Sequence, residues 1–416
     1  MNFLYLALFG LYAYLTWKNF RVGIWMLLLF LPFYSLRFSI LGLPSTVLEL
    51  AFLLLALIWI TKYFKEDKIN LLNFVKENYY FNLAILLFLA FALVGVFNNP
   101  GFLKGLGIWR AYFLEPIIFF YILIARKYKA GDLLWGLVGC SLPVSVLSVL
   151  QMITGWGIYT QQWSAWPGRR VTAFFTSPNA VGLYLEMIFL VNLALVWHLY
   201  KNFKTEDKKK RIFAIIALVL NFLAIVFSFS QGAWLAIVAG MALFLWLLDY
   251  KKTVLILATI GILFTVAVPV ARDVVTFSDQ AGQNRLILWQ QTQEYIFSSP
   301  THFVLGAGLR RFYSDIQKPL ANVVMEPLIY PHNIILNFWS EIGLFGLLSF
   351  LFIYFILWKE SFVTHRKNQL WGAAMVGVWL IFLVHGLVDV PYFKNDLSFL
   401  FWIFAALTFY FNREKV

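Results

Sequence analysis

An all-α, polytopic transmembrane helical bundle is the fold class this sequence predicts, and three observations predict it. Apolar residues make up 62% of the 416 residues and charged residues only 13%, about half the charged share of a soluble globular chain. Mean hydropathy is +0.77, and the few polar residues could not cover a core of that size in water. Apolar runs also follow one another along most of the chain, and a spanning helix needs about 20 such residues.

The runs fall at 3–17, 22–36, 46–62, 80–97, 111–126, 133–153, 176–199, 211–228, 231–249, 253–271, 334–357, 369–388 and 396–411. The first two are short, so 12 or 13 spans are expected, and no internal repeat of fixed period is evident. The chain divides into N-terminal membrane helices (1–160), central helices (161–271) with an outer loop at 155–179, a large outer loop with helices of its own (272–333), and C-terminal helices (334–416).

The net charge of +13 invites a nucleic-acid reading. The lysines, however, are concentrated in short links between apolar runs, which fits membrane orientation and not a nucleic-acid face. Alternate links split the 33 Lys and Arg into sets of 22 and 11. The richer set marks the cytoplasmic side by the positive-inside rule. It is mostly lysine, whereas the opposite face is mostly arginine. Orientation needs only charge; the planar guanidinium fork is the better partner for phosphate and carboxylate oxygens. The outer face therefore invites an anionic ligand, with lipid headgroup contact as the alternative. The lone cysteine, Cys140, sits in an apolar run, so neither a disulfide framework nor a cysteine metal site is expected.

Two outer loops are long enough to hold a site. The first, GWGIYTQQWSAWPGRRVTAFFTSPN at 155–179, is rich in aromatics and amides, which suit both a membrane-interface belt and sugar faces. It carries Arg169 and Arg170 and ends on a helix start at Ser177-Pro178-Asn179. The second, from about 272 to 333, is the largest polar stretch, and a loop that long is more often functional than connective. Its NRLILWQQTQEYIFSSP segment reads as an amphipathic helix with Arg285 near its start; Pro300 ends it, Gly306-Ala307-Gly308 turns, and Arg310-Arg311 follow.

The loop returns to the membrane through Tyr330-Pro331-His332-Asn333. A neutral imidazole at that boundary can take a proton from a hydroxyl; a capping or interfacial histidine is the alternative. For Arg285, phosphate binding competes with a surface ion pair to Asp279 or Glu294. Glu186 lies inside an apolar run, where a carboxylate is costly and needs a partner; Arg170 would reach it only if the outer loop folded inward. His385 and Asp389 end the penultimate run and read either as supporting partners or as ordinary end-of-helix residues. Ser228, Ser230, Gln231 and Gly232 form a polar break between two spans, either a plain turn or part of the same cavity lining. No phosphate-binding glycine loop, dinucleotide fingerprint, zinc-protease motif or nucleophile elbow occurs. The outer loops also lack a D-x-D pair, which argues against a metal-held nucleotide-sugar donor.

Six segments in order resemble the O-antigen ligase and polymerase superfamily of bacterial envelope glycosyltransferases. They are GRRVTAFFTSPN at 168–179, SFSQGAW at 228–234, NRLILW at 284–289, SPTHFVLGAGLRRF at 299–312, PHNIILNFWSEIGLFG at 331–346 and HGLVDVP at 385–391. The similarity covers roughly 165–411; the first 160 residues share hydropathy alone. The resemblance implies an enzyme of the inner membrane, with no cofactor or metal. It would move a glycan with inversion from undecaprenyl diphosphate to the hydroxyl of a glycolipid (lipid A-core) or another acceptor on the periplasmic side. It implies His332 at the acceptor hydroxyl and Arg285 at the donor diphosphate; Asn333, Glu186 and Arg311 are candidate supporting residues by their positions in the sequence. Where the family commonly has S-R-G, this chain has Ser230-Gln231-Gly232; glutamine donates hydrogen bonds but brings no charge, so Arg169 or Arg170 is expected to supply the missing cation. Membrane lipids are expected partners and nucleic acid is not. A polymerase extending a lipid-linked glycan and transfer to protein hydroxyls remain open within the class, and a lipid-linked glycan transporter outside it.

Overall fold

The computed structural model describes residues 3–40, 43–98, 101–204, 206–317 and 328–413. Every apolar run expected from the sequence is helical. In chain order the elements are α1 (Phe3–Lys18), α2 (Phe20–Phe30), an antiparallel hairpin of β1 (Arg37–Ile40) and β2 (Leu43–Thr46), α3 (Val47–Lys62), α4 (Phe64–Glu77) and α5 (Tyr79–Phe97). Then come α6 (Phe102–Ile108), running through a π-helical turn into α7 (Glu115–Arg126), α8 (Ala130–Thr154), α9 (Pro178–Lys201), α10 (Lys208–Ser228), α11 (Gln231–Leu247) and α12 (Lys251–Ala267). The large loop contributes α13 (Pro269–Val275), α14 (Gln280–Phe297) and α15 (Pro300–Leu305); its stretch 318–327 lies outside the described residues. The chain closes with α16 (Ile334–Lys367), α17 (Gln369–Gly386) and α18 (Asn395–Arg413).

Seven helices are long and apolar enough to cross a bilayer on their own: α5, α6 continuing into α7, α8, α9, α10, α16 and α17. The remaining runs are shorter, belong to pairs bent by 99° (α3 with α4) and 103° (α12 with the helices after it), or, for the 19-residue α18, are less apolar than a span of that length requires. Beyond the seven, the expected total of 12 or 13 therefore rests on helices that length and composition alone do not qualify. The β-hairpin and the polar helix α4 carry no hydropathy signal and were not expected.

Helices α9, α17 and α18 form the centre. Nearly every residue of α18 is buried, including Trp402, Phe399 and Phe401. The close crossing of α11 and α17 depends on small residues, because a Cβ on Gly240 would lie 2.9 Å from the Gly377 carbonyl oxygen. At the other extreme, α12 buries no residue, and Leu255, Ile256, Ile262 and Leu263 are exposed. A surface of that kind suits hydrocarbon, not water. The chain is a multi-pass membrane protein.

The two sets of links gather on opposite faces. On the lysine-rich face, Lys62 Nζ donates to the Trp17 carbonyl at 2.6 Å, Lys367 Nζ to Asn412 Oδ1 at 2.6 Å, and Gln369 Nε2 to the Leu247 carbonyl at 3.1 Å. On the arginine-rich face the 155–179 loop is pinned to α8 and α10. Buried Gln151 accepts from the Thr172 and Ala173 amides at 2.9 and 2.8 Å, and the Val171 amide donates to the Phe227 carbonyl at 3.1 Å.

Candidate active site on the arginine-rich face

The site assembles where α9, α10, α14, α16 and α17 end on one face. Asn333 caps α16, its Oδ1 accepting from the Ile335 and Leu336 amides at 3.0 and 3.1 Å, while its Nδ2 donates to the Leu387 carbonyl at 3.1 Å. The residue before the cap, His332, has φ +51°, a left-handed conformation that costs a non-glycine residue about 1–2 kcal/mol. Its neighbours hold it there: Trp289 Nε1 donates to the Pro331 carbonyl at 3.0 Å, and the Tyr330 ring lies edge-on to the imidazole at 5.0 Å.

His332 Nδ1 lies 3.1 Å from Asp389 Oδ1. Burial alone would raise the Asp389 carboxyl. His332, then His385 and Lys394, outweigh it and hold the group far below the usual carboxylate range. An ionised carboxylate only accepts, so Nδ1 carries the proton and Nε2 is left as the base. The His332 side chain is 19% exposed and Asp389 4%, so the imidazole can be reached and its orienting partner cannot. The Val390 amide donates to Asp389 Oδ1 at 2.8 Å, and Asn179 Nδ2 to Oδ2 at 3.4 Å.

Asn179 links this pair to Arg170. Arg170 Nη2 donates to Asn179 Oδ1 at 3.0 Å and to the Phe229 carbonyl at 3.2 Å, and Nε donates to the Ser228 carbonyl at 3.0 Å. The side chain thus caps the end of α10 and joins it to the His332–Asp389 pair. Its Nη1 has no hydrogen-bond partner among the described residues, and burial, which penalises the charged form, lowers its pKa. Arg169 turns elsewhere: its Nε donates to the Ser164 carbonyl, and its Nη1 to the last turn of α8 at Met152 and Ile153, at 2.8, 2.9 and 3.2 Å.

Arg285 lies in the second turn of α14, half-buried, with Nε donating to the Val388 carbonyl at 3.0 Å. The surface ion pairs considered for it are not formed: Asp279 caps α14 by accepting from the Gly282 amide, and Glu294 accepts from Gln290. Neither Nη nitrogen of Arg285 has a hydrogen-bond partner among the described residues. Gln231 is exposed at the first position of α11. Its neighbour Gly232 packs so closely that a Cβ there would lie 3.1 Å from Val388 and 2.9 Å from the His385 ring. The start of α11 and Arg285 therefore meet the same 385–390 segment that presents Asp389.

Glu186 is paired, but not with Arg170. His385 Nδ1 lies 2.7 Å from Glu186 Oε2, and both side chains are fully buried. The outer loop supplies Arg170 to α10 and Asn179, and Glu186 takes its partner from the neighbouring helix α17. Arg311 forms an ion pair with Asp315 at 2.7 Å, in the part of the loop that packs on α16, and is not joined to the His332 network. Sequence left Asp389 as either a supporting partner or an ordinary end-of-helix residue, and neither its pairing with His332 nor the link through Asn179 could be read from it. A polar residue at a span end was the only signal for either.

This arrangement offers a reachable imidazole base, held by a buried carboxylate, beside two guanidinium groups with unspent donors. Among the described residues no group of His, Cys, Asp and Glu could hold a metal ion. No curated protein matches the chain. Residues 216–351, which run from α10 through α14 and the His332 turn into α16, match the family model described as O-antigen ligase.

Proposed function

We propose that this protein is a glycosyltransferase of O-antigen ligase type. It moves a glycan from undecaprenyl diphosphate to an acceptor hydroxyl, of lipid A-core type, at the periplasmic face of the bacterial inner membrane. The observation that carries the reading is the His332–Asp389 pair joined on one face to Arg285 and Arg170, within a chain that matches the O-antigen ligase family model.

In the reaction, His332 Nε2 takes the proton from the acceptor hydroxyl as its oxygen attacks the anomeric carbon. Asp389 stabilises the imidazolium that forms. The bond from the anomeric carbon to the phosphate oxygen breaks, and the diphosphate leaves with the electron pair. Arg285 and Arg170 stabilise the growing charge on that leaving group. Attack opposite the leaving group inverts the anomeric centre. A prenyl diphosphate leaves readily without protonation, so the step needs no general acid.

Purified protein in nanodiscs, given a prenyl-diphosphate oligosaccharide and candidate acceptors, should form product without nucleotide and in the presence of a chelator. His332→Ala should lower the rate by about 10²–10⁴-fold, the usual share of a general base. Movement of the glycan lipid between leaflets with no transfer would instead indicate a transporter. The product length distribution separates a single transfer from polymerisation.

A further inference from the structure

On the opposite, lysine-rich face a recess of about 420 Å³ opens where the α1–α2 turn, the end of α3 and the α7–α8 link meet; its walls include Lys18, Arg21, Tyr63, Arg126, Lys127 and Lys129. Nothing in the proposed transfer uses it. We propose that this recess binds the phosphate of an anionic phospholipid headgroup from the lysine-rich leaflet.

Membrane orientation accounts for positive charge in these links, but it requires neither a recess nor fixed geometry. Here five cations face one cavity and two carboxylates reach them. Asp67 pairs with Arg126 at 3.1 Å, and Asp132 with Arg21 at 2.9 Å. Lys18, Lys127 and Lys129 are exposed and have no carboxylate partner among the described residues. Like charges held together without a counter-ion repel, and an anion in the recess relieves that repulsion.

The recess is also built. Arg126 spends Nη1 on Asp67, with Oδ1 and Oδ2 at 3.1 and 3.4 Å, and its guanidinium lies 4.2 Å from the Tyr63 ring centroid. Asp67 is itself held by Trp59 Nε1 at 2.8 Å. The fork is thereby pinned, and its Nε and Nη2 make no hydrogen bond among the described residues. The 25-residue helix α8 begins at the rim with no side chain capping its first amides, and such a helix start favours phosphate. A pinned arginine, exposed lysines and open amides beside a bilayer surface are the chemistry of a phospholipid phosphate site. Free phosphate shares that chemistry, and the test separates the two.

Native mass spectrometry of detergent-solubilised protein with added phosphatidylglycerol or phosphatidylcholine reads the first arm. Calorimetric titration with inorganic phosphate reads the second. The expected result is a one-to-one phosphatidylglycerol adduct, at least tenfold weaker with phosphatidylcholine. Binding should also fall at least tenfold in a K18Q/K127Q/K129Q variant, whose exposed positions leave the fold intact. Arg126→Lys, which keeps the charge opposite Asp67 but loses the fork, should weaken it as well. Equal retention of both lipids, adducts unchanged in the triple variant, or phosphate binding without lipid selectivity would each overturn the proposal.

Discussion

Asp389 orients His332 through Nδ1 and stays ionised, so an asparagine in its place separates shape from charge. Its amide can present a donor where an acceptor is needed, and the ring would lose its tautomer. Asp389→Asn should lower transfer at least about tenfold, as loss of a general base's orientation does, with the melting temperature little changed; near-normal turnover would remove Asp389 from the mechanism. The arginines separate by their contacts. Arg285→Ala and Arg170→Ala should each lower the turnover number by about 10²-fold, the usual cost of one donor to developing charge. Arg169→Ala should show mainly as a lower melting temperature, since its donors end on the loop carbonyl of Ser164 and the last turn of α8. Unimpaired transfer by Arg170→Ala would mean that Gln231 needs no neighbouring cation. Arg169 and Arg170 differ by one position in the chain and by their whole surroundings in space, which no sequence pattern distinguishes. Glu186 shows the same limit: its burial in an apolar run signalled a partner, but His385 lies 199 residues away.

At the scale of elements, the GAGLRR and SEIGLFG segments explain each other. Helix α16 breaks at Gly343, with φ +75° and ψ 178°, and the 306–310 turn docks against the break. The Ala307 amide donates to the Ser340 carbonyl at 2.7 Å, the Arg310 amide to Glu341 Oε2 at 2.7 Å, and Trp339 Nε1 to the Phe303 carbonyl at 2.8 Å. Gly306, with φ +69°, approaches so closely that a Cβ would lie 2.5 Å from the Ser340 oxygen; one on Gly343 would lie 2.2 Å from that of Val304. Gly343→Ala should therefore displace the loop that carries Arg285. We expect a fall in melting temperature measured by intrinsic fluorescence, beyond the roughly 1–2 kcal/mol of a left-handed alanine, together with lost transfer. A stable and active variant would show that the break is not needed to place α14. The hydropathy pattern indicated the span that contains SEIGLFG, but not that it would break to receive a loop.

At the scale of the molecule, the arrangement separates two faces with different chemistry, and the sidedness can be measured. Cys140 is the single cysteine and is buried, so the wild type should stay silent to a membrane-impermeant maleimide. Introduced in turn into whole cells with a permeable outer layer, S314C should be labelled and K209C should not. The reverse pattern would put the candidate site in the cytoplasm and remove the periplasmic donor from the proposal.

Composition by itself determined that this chain lives in a bilayer, because burying so much apolar surface leaves no other solvent that fits. The distribution of lysine and arginine determined which links share a face, and the order of short motifs carried the resemblance to the O-antigen ligase superfamily. Only the tertiary structure decided which polar groups meet. Asp389 joins His332 across 57 residues, Arg170 and not Arg169 reaches that pair through Asn179, and Glu186 turns to His385. The physical reason is the range of the two kinds of information. Hydropathy and charge act along a segment and survive in the sequence, whereas a hydrogen bond between helix ends depends on packing angles and loop geometry that are fixed only when all the helices are in place.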